Sequence, residues 1–187
     1  SGGQFWKPEA AEEERRMLGD AIAFAEAVGF RHLVVSGNKA ETVASMKEAA
    51  ATYADLGLRC REAGLSFCYH NHDWELADDA AILDTLLLAT EPGEVSLVLD
   101  VAWAYLGGIE VGTLLERYGN RVAYLHIKDV RGERFCELGR GEMNIPEVLR
   151  LAEKQRIEWL VVEQDYTDYT PEESMRVNRE YLRSLGV

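Results

Sequence analysis

A chain of 187 residues, 47% of them hydrophobic, is long enough to bury one sizeable core and is expected to form a single domain over 1–187. Its 33 Asp and Glu against 20 Lys and Arg leave a formal net charge of −13. That charge repels polyphosphates and anionic lipid, which excludes nucleic acid and membrane as expected partners, while a few local cations still suffice for a small phosphorylated substrate. The cysteines (Cys60, Cys68, Cys136) are odd in number and unpaired in pattern. Cys68 sits in an apolar strand, so buried reduced thiols and a cytoplasmic location are expected. No signal-peptide pattern is visible, no apolar run is long enough to span a bilayer, and the opening Ser1-Gly2-Gly3 reads as a cloning remnant or a cut point.

Residues 8–29 predict a helix, with Pro8 in its first turn, Glu12 to Glu14 at the positive end of the dipole and Gly29 after the last turn. Ala21, Phe24, Ala25 and Val28 supply its apolar stripe. His32 to Ser36 is a short strand closed by Gly37, and a helix follows over about 40–63 with Gly57 and Gly64 as breaks. Leu65 to His70 is the next strand, followed by a loop holding Asn71, His72, Asp73 and Glu75. A helix over 78–89 and a turn at Pro92-Gly93 lead to a strand from Val95 to Asp100, and a further helix covers 110–118. Val122 to Asp129 is an apolar, β-branched run that reads as a buried parallel strand. Alternation puts His126 and Lys128 on one face, with Ile127 and Asp129 on the other. A charged, glycine-containing loop (131–143), a helix over 145–155, a strand from Trp159 to Glu163 and a helix over 171–185 complete the chain.

Strand and helix thus alternate five times at intervals of roughly thirty residues, which implies parallel pairing with right-handed crossovers. Either a doubly wound sheet or part of a (β/α) barrel accepts that rhythm. No glycine-rich nucleotide loop follows a strand, and Gly139-Arg140-Gly141 is too short for one, which counts against a dinucleotide fold.

The strand ends carry the chemistry. They supply Tyr69-His70-Asn71-His72 with Glu75, then Asp100, then His126, then Glu163 with Asp165. Three of the four histidines fall there, and parallel strands deliver their C-terminal ends to one rim. Carboxylates with an imidazole make a hard-to-borderline divalent site, suited to Mn²⁺, Mg²⁺, Co²⁺ or Zn²⁺. Each member also has a plainer reading. His126 alone is consistent with a satisfied core histidine, Asp100 with a helix N-cap, Glu75 with a solvated loop residue and Trp103 with ordinary packing. Glu163, after Leu160-Val161-Val162, is hard to place on a surface if its strand is central.

The segments Tyr69-His70-Asn71-His72-Asp73-Trp74-Glu75, Leu99-Asp100-Val101-Ala102-Trp103, Leu125-His126-Ile127-Lys128-Asp129 and Val162-Glu163-Gln164-Asp165 resemble the sugar phosphate isomerase/epimerase family. That family belongs to the xylose isomerase-like (β/α)₈ barrels, which also include endonuclease IV. The resemblance implies an α/β TIM barrel, here incomplete with about five of eight β/α units, the fourth to the eighth, with residues 1–6 as the tail of the third. An open barrel exposes apolar strand edges, which a second chain or a homo-oligomer would cover.

The resemblance also implies one divalent metal held by Glu75, Asp100, His126 and Glu163, with His70 or His72 sharing or replacing the first position. It implies isomerisation or epimerisation of a ketose, keto-sugar or sugar phosphate through an enediolate, with Glu163 and either Glu75 or a histidine, His72 or His70, as the acid/base pair. Substrate contacts are expected from His70, from Trp103 and Trp74 as apolar faces, from Lys128 and from Arg140. Lys128 either stabilises developing negative charge or pairs with Asp129, and Arg140 either binds a phosphate or hydroxyl or is a solvated loop residue. Elimination of water from a keto-sugar or keto-inositol on the same metal is the alternative enzymatic reading. A truncated, non-catalytic barrel module is the non-enzymatic one. Phosphodiester cleavage is disfavoured by the negative charge and by too few histidines for a multi-zinc site.

Overall fold

A computed structural model describes residues 11–36 and 40–187. The expectations for residues 1–6, Pro8 and Gly37, and for the side chains of Glu12 to Glu14, lie outside the described residues. The chain forms two compact units, Ser1–Val98 and Leu99–Val187.

In the first unit, α1 (Ala11–Val28) is followed by β1 (His32–Val35), α2 (Val43–Glu62), β2 (Ser66–His70), α3 (Ala77–Leu88) and most of β3 (Ser96–Asp100). The strands lie parallel in the order β1-β2-β3, with Val35 opposite Tyr69 and His70 opposite Val98. The expected stripe of α1 is displaced. Ile22 and Ala25 are buried, whereas Phe24 is 63% and Val28 53% exposed. Phe24 instead meets Phe30 edge to face at 6.2 Å.

Helix α2 starts at a capping box, in which the Thr42 hydroxyl accepts from the Ser45 amide and the Thr42 amide donates to the Ser45 hydroxyl. It runs unbroken through Gly57. A Cβ there would fall 1.8 Å from the Glu94 carbonyl oxygen, so glycine permits a close backbone approach and does not end the helix. Tyr53 on α2 packs on Phe67 and Tyr69 of β2, at ring separations of 6.0 and 5.6 Å. The first turn of α3 is left-handed at Asp78, Asp79 and Ala80, which a plain helix over 78–89 does not anticipate.

The second unit begins inside β3, and the sheet order runs on from β3 to β4 (Val122–Ile127) and β7 (Leu160–Val162). β4 and β7 are parallel, with His126 opposite Val161. β7 ends the sheet order, so Glu163 follows an edge strand and not the central one expected, and Val161 and Trp159 are exposed.

A helix and a hairpin add to the elements expected from the sequence. α4 (Val101–Leu106) follows β3 directly, before α5 (Val111–Tyr118). The segment expected as a loop over 131–143 opens with an antiparallel hairpin, β5 (Asp129–Arg131) against β6 (Arg134–Cys136), turning at Gly132 with φ +62°. α6 (Ile145–Lys154) and α7 (Pro171–Ser184) are N-capped by Asn144 and Thr170. Leu114 and Leu115 of α5, Ile145, Val148 and Ala152 of α6, and Leu125 and Ile127 of β4 are buried core residues of this unit. Full burial of a leucine or isoleucine contributes about 1.5–3 kcal/mol.

Candidate active site

Asp100 is the last residue of β3 and the N-cap of α4, and its two oxygens are used differently. Oδ1 accepts the amides of Ala102 and Trp103, each at 3.0 Å. Oδ2 lies 3.0 Å from Lys128 Nζ and 3.9 Å from His126 Nδ1. The helix-cap reading therefore holds for Oδ1, while Oδ2 faces Lys128 and His126.

On β4 and just beyond it, alternation aims His126 and Lys128 to one side and seats Ile127 and Asp129 in buried positions on the other. The Glu163 amide donates to Ile127 O at 3.2 Å, continuing the β4–β7 ladder and bringing the Glu163 carboxylate to the same cluster. Its Oε2 lies 3.2 Å from His126 Nδ1 and 2.6 Å from Lys128 Nζ. Asp165 Oδ2 also accepts from Lys128.

Burial pulls the Lys128 ammonium down, but the carboxylates of Asp100, Asp165 and Glu163 outweigh it and hold the group above the ordinary lysine range. Lys128 does not pair with Asp129, because alternation separates them.

Asp129 has a different task. Its buried carboxylate accepts four amides: Val130 at 2.8 Å and Met143 at 3.1 Å on Oδ1, Gly139 at 2.9 Å and Gly141 at 3.0 Å on Oδ2. The loop is wrapped so closely that a Cβ on Gly141 would lie 2.2 Å from Asp129 Oδ1. Buried Glu137 accepts the hydroxyls of Thr167 (2.5 Å) and Ser174 (2.8 Å), and Asn178 Oδ1 accepts the Leu138 amide at 2.7 Å. These bonds tie the loop to α7.

Arg140 is exposed on this loop. Trp103 meets Phe135 of β6 edge to face at 4.8 Å, and the Lys128 ammonium lies 5.8 and 4.9 Å from the two ring centres. Phe135, the amide-binding task of Asp129 and the α7 contacts escape sequence reading. The alternating Arg134-Phe135-Cys136 after a glycine turn is the one signal that points to Phe135.

In the first unit, His70 ends β2 and is buried, and the Ser36 hydroxyl lies 3.4 Å from both His70 Nδ1 and His72 Nε2. Glu75, fully buried, accepts the Tyr69 hydroxyl at 2.6 Å and the His72 amide at 2.7 Å, and its Oε1 lies 3.7 Å from His72 Nδ1. Trp74 stacks on the His72 ring at 4.3 Å and 13°, so this indole holds an imidazole in place. Glu75 is thus no solvated loop residue.

The second-unit cluster suits a divalent cation by its donors. One ligand atom from each of Asp100, His126 and Glu163 lies within 4.8 Å of the others. Three carboxylates (Asp100, Glu163, Asp165) gather around the one ammonium of Lys128. Carboxylate oxygen with imidazole nitrogen is a hard-to-borderline donor set.

Residues 2–185 match the family model described as xylose isomerase-like TIM barrel. An inosose dehydratase of Lacticaseibacillus casei is 37% identical over 82 residues, which is 44% of this chain and 28% of that relative. The match therefore spans less than a third of that curated relative's length. Among solved structures, a sugar phosphate isomerase/epimerase of Parabacteroides distasonis ATCC 8503 superposes with a TM-score of 0.85 at 20% identity, covering 97% of this chain and 68% of that one. An L-ribulose 3-epimerase does so with a TM-score of 0.78 at 17% identity, covering 97% and 70%. No described helix is long and apolar enough to cross a membrane. With the match running through almost the entire sequence, the chain belongs to the xylose isomerase-like TIM barrel family.

Proposed function

We propose that this chain carries the metal-holding strand ends of a sugar-processing enzyme, an isomerase or epimerase that acts on a ketose, keto-sugar or sugar phosphate through an enediolate. The observation that carries the proposal is the meeting of Asp100, His126 and Glu163, from the ends of β3, β4 and β7, with one ligand atom of each within 4.8 Å of the others. Those three side chains would hold Mn²⁺, Mg²⁺, Co²⁺ or Zn²⁺. Such an ion, when bound, supplies Lewis-acid polarisation of a substrate carbonyl.

The side chains take distinct parts. Asp100 is fixed by the α4 amides and serves as a holder. Glu163, whose side chain is 35% exposed, is open enough to take and return the proton next to the carbonyl. Lys128 brings a positive charge near the oxygen on which negative charge develops. Trp103 offers an apolar face to the ring, and Arg140 a cation to a phosphate or hydroxyl. In the first unit the His72 ring is set by Trp74 and by Glu75, as a proton-transfer group requires, and His70 ends β2 in a buried position.

The test is hydrogen exchange. With Mn²⁺ in D₂O, a ketose or ketose phosphate should gain deuterium at the carbon next to its carbonyl, and Glu163→Gln should stop this. Metal uptake without exchange on any substrate of the class would refute the proposal.

A second reading, a dehydratase acting on a keto-inositol or keto-sugar, is favoured by the inosose dehydratase relative. It uses the same proton removal, after which the β-hydroxyl leaves as water. Loss of one water in the product mass would select it. A non-catalytic module is selected by unchanged function in Glu163→Gln.

A further inference from the structure

We propose that Lys128 is a built-in counter-cation of the site: it binds the same carboxylate oxygens a divalent ion needs, and so sets the metal affinity by competition. The inference rests on the reading of Asp100, His126 and Glu163 as metal donors. Lys128 is fully buried, with Nζ 3.0 Å from Asp100 Oδ2 and 2.6 Å from Glu163 Oε2, and it is bonded to Asp165 as well. Those two oxygens are the ones that face His126 Nδ1, at 3.9 and 3.2 Å.

Asp100 cannot escape the conflict by turning its other oxygen to the ion, because Oδ1 is held by the amides of Ala102 and Trp103. An ammonium and a divalent ion sharing one oxygen would sit about 4 Å apart, where like charges repel strongly in a partly desolvated site. Lys128 therefore leaves Oδ2 and Oε2 when the site loads.

The fold supplies somewhere for it to go. Asp165 lies outside the donor trio and stays available as a partner, and the ring faces of Phe135 and Trp103 lie 4.9 and 5.8 Å from the ammonium. Before loading, the lysine keeps three mutually repelling carboxylates together, so the site is assembled in advance of the metal.

The experiment is a Mn²⁺ titration by competition with a fluorescent chelator, on the whole chain and on Lys128→Met and Lys128→Arg. Competition predicts that Lys128→Met binds Mn²⁺ about tenfold or more tightly than the wild type, whereas Lys128→Arg, which keeps the charge, gains nothing. Without Mn²⁺, Lys128→Met should melt lower than the wild type, and Mn²⁺ should raise its melting temperature by more. If Lys128→Met folds poorly, the pair Lys128→Met/Asp165→Asn keeps the net charge of the cluster while removing the competitor, and it too should bind more tightly.

Equal or weaker binding by the uncharged variants, with a wild type that binds Mn²⁺, overturns the competition alone. No Mn²⁺ uptake by any of the proteins overturns both the competition and the metal reading beneath it.

Discussion

Replacing Asp129 should unfasten the loop beside the site at a measurable loss of stability. Its buried carboxylate accepts four backbone amides, two on each oxygen. A hydrogen bond to a charged acceptor contributes about 1.5–3 kcal/mol, so the plain sum over four is about 6–12 kcal/mol. That is an upper bound, because a surface loop relaxes and lets water reach the freed amides, and few single substitutions cost more than about 4–5 kcal/mol. Asp129→Ala is therefore expected to lower the unfolding free energy by about 3–5 kcal/mol. Asp129→Asn should lose nearly as much, because its NH₂ would meet either the Gly139 and Gly141 amides or the Val130 and Met143 amides, donor against donor. Urea unfolding followed by tryptophan fluorescence reads this as a lower midpoint at unchanged slope. A loss below about 1 kcal/mol in both variants would refute the reasoning, since it would mean the amides are as well served by water as by the carboxylate.

Gly57→Ala forces a methyl against the Glu94 carbonyl and should destabilise by about 1–3 kcal/mol by calorimetry, the reverse of the usual gain from alanine in a helix. Glu75→Gln sets an amide NH₂ against either the Tyr69 hydroxyl or the His72 amide, and should reduce both stability, by about 1–3 kcal/mol, and the deuterium exchange rate. Burial pushes the thiols of Cys60 and Cys136 up to about 11 and that of Cys68 up to about 12, from 9.0. All three should react slowly with a disulfide reagent at pH 8 until the chain is unfolded. Since the folded values are the higher ones, the stability these neutral thiols contribute is complete below pH 9.0 and is lost as pH rises through about 11 to 12. Loss at acid pH instead would contradict that origin.

The parallel strands and the identity of the strand-end residues could be read from periodicity, because a buried strand followed by a helix leaves a strong local signal. The alternation that aims His126 and Lys128 together and sends Asp129 the other way is a two-residue period, which needs no tertiary knowledge. What Asp129 does was hidden, since its four partners come from amides up to fourteen residues away, and an amide has no side-chain signature. Gly57 misled for a related reason: only the Glu94 backbone explains it. Of the two readings of Lys128, pairing with its chain neighbour Asp129 fails because its carboxylate partners lie 28 to 37 residues away. Hydrophobicity alone puts Phe24 and Val28 on the apolar stripe of α1, and the structure leaves both exposed. The hairpin after β4 was masked by its charge, because its polar residues alternate with few apolar ones.

The central claim is that Asp100, His126 and Glu163 share one cation. Elemental analysis of protein reconstituted with Mn²⁺ and freed of excess ion tests it most directly. About one ion per chain is expected in the wild type, and a large deficit in both His126→Ala and Glu163→Gln. An ion-free wild type, or full retention of the ion by both variants, would contradict it.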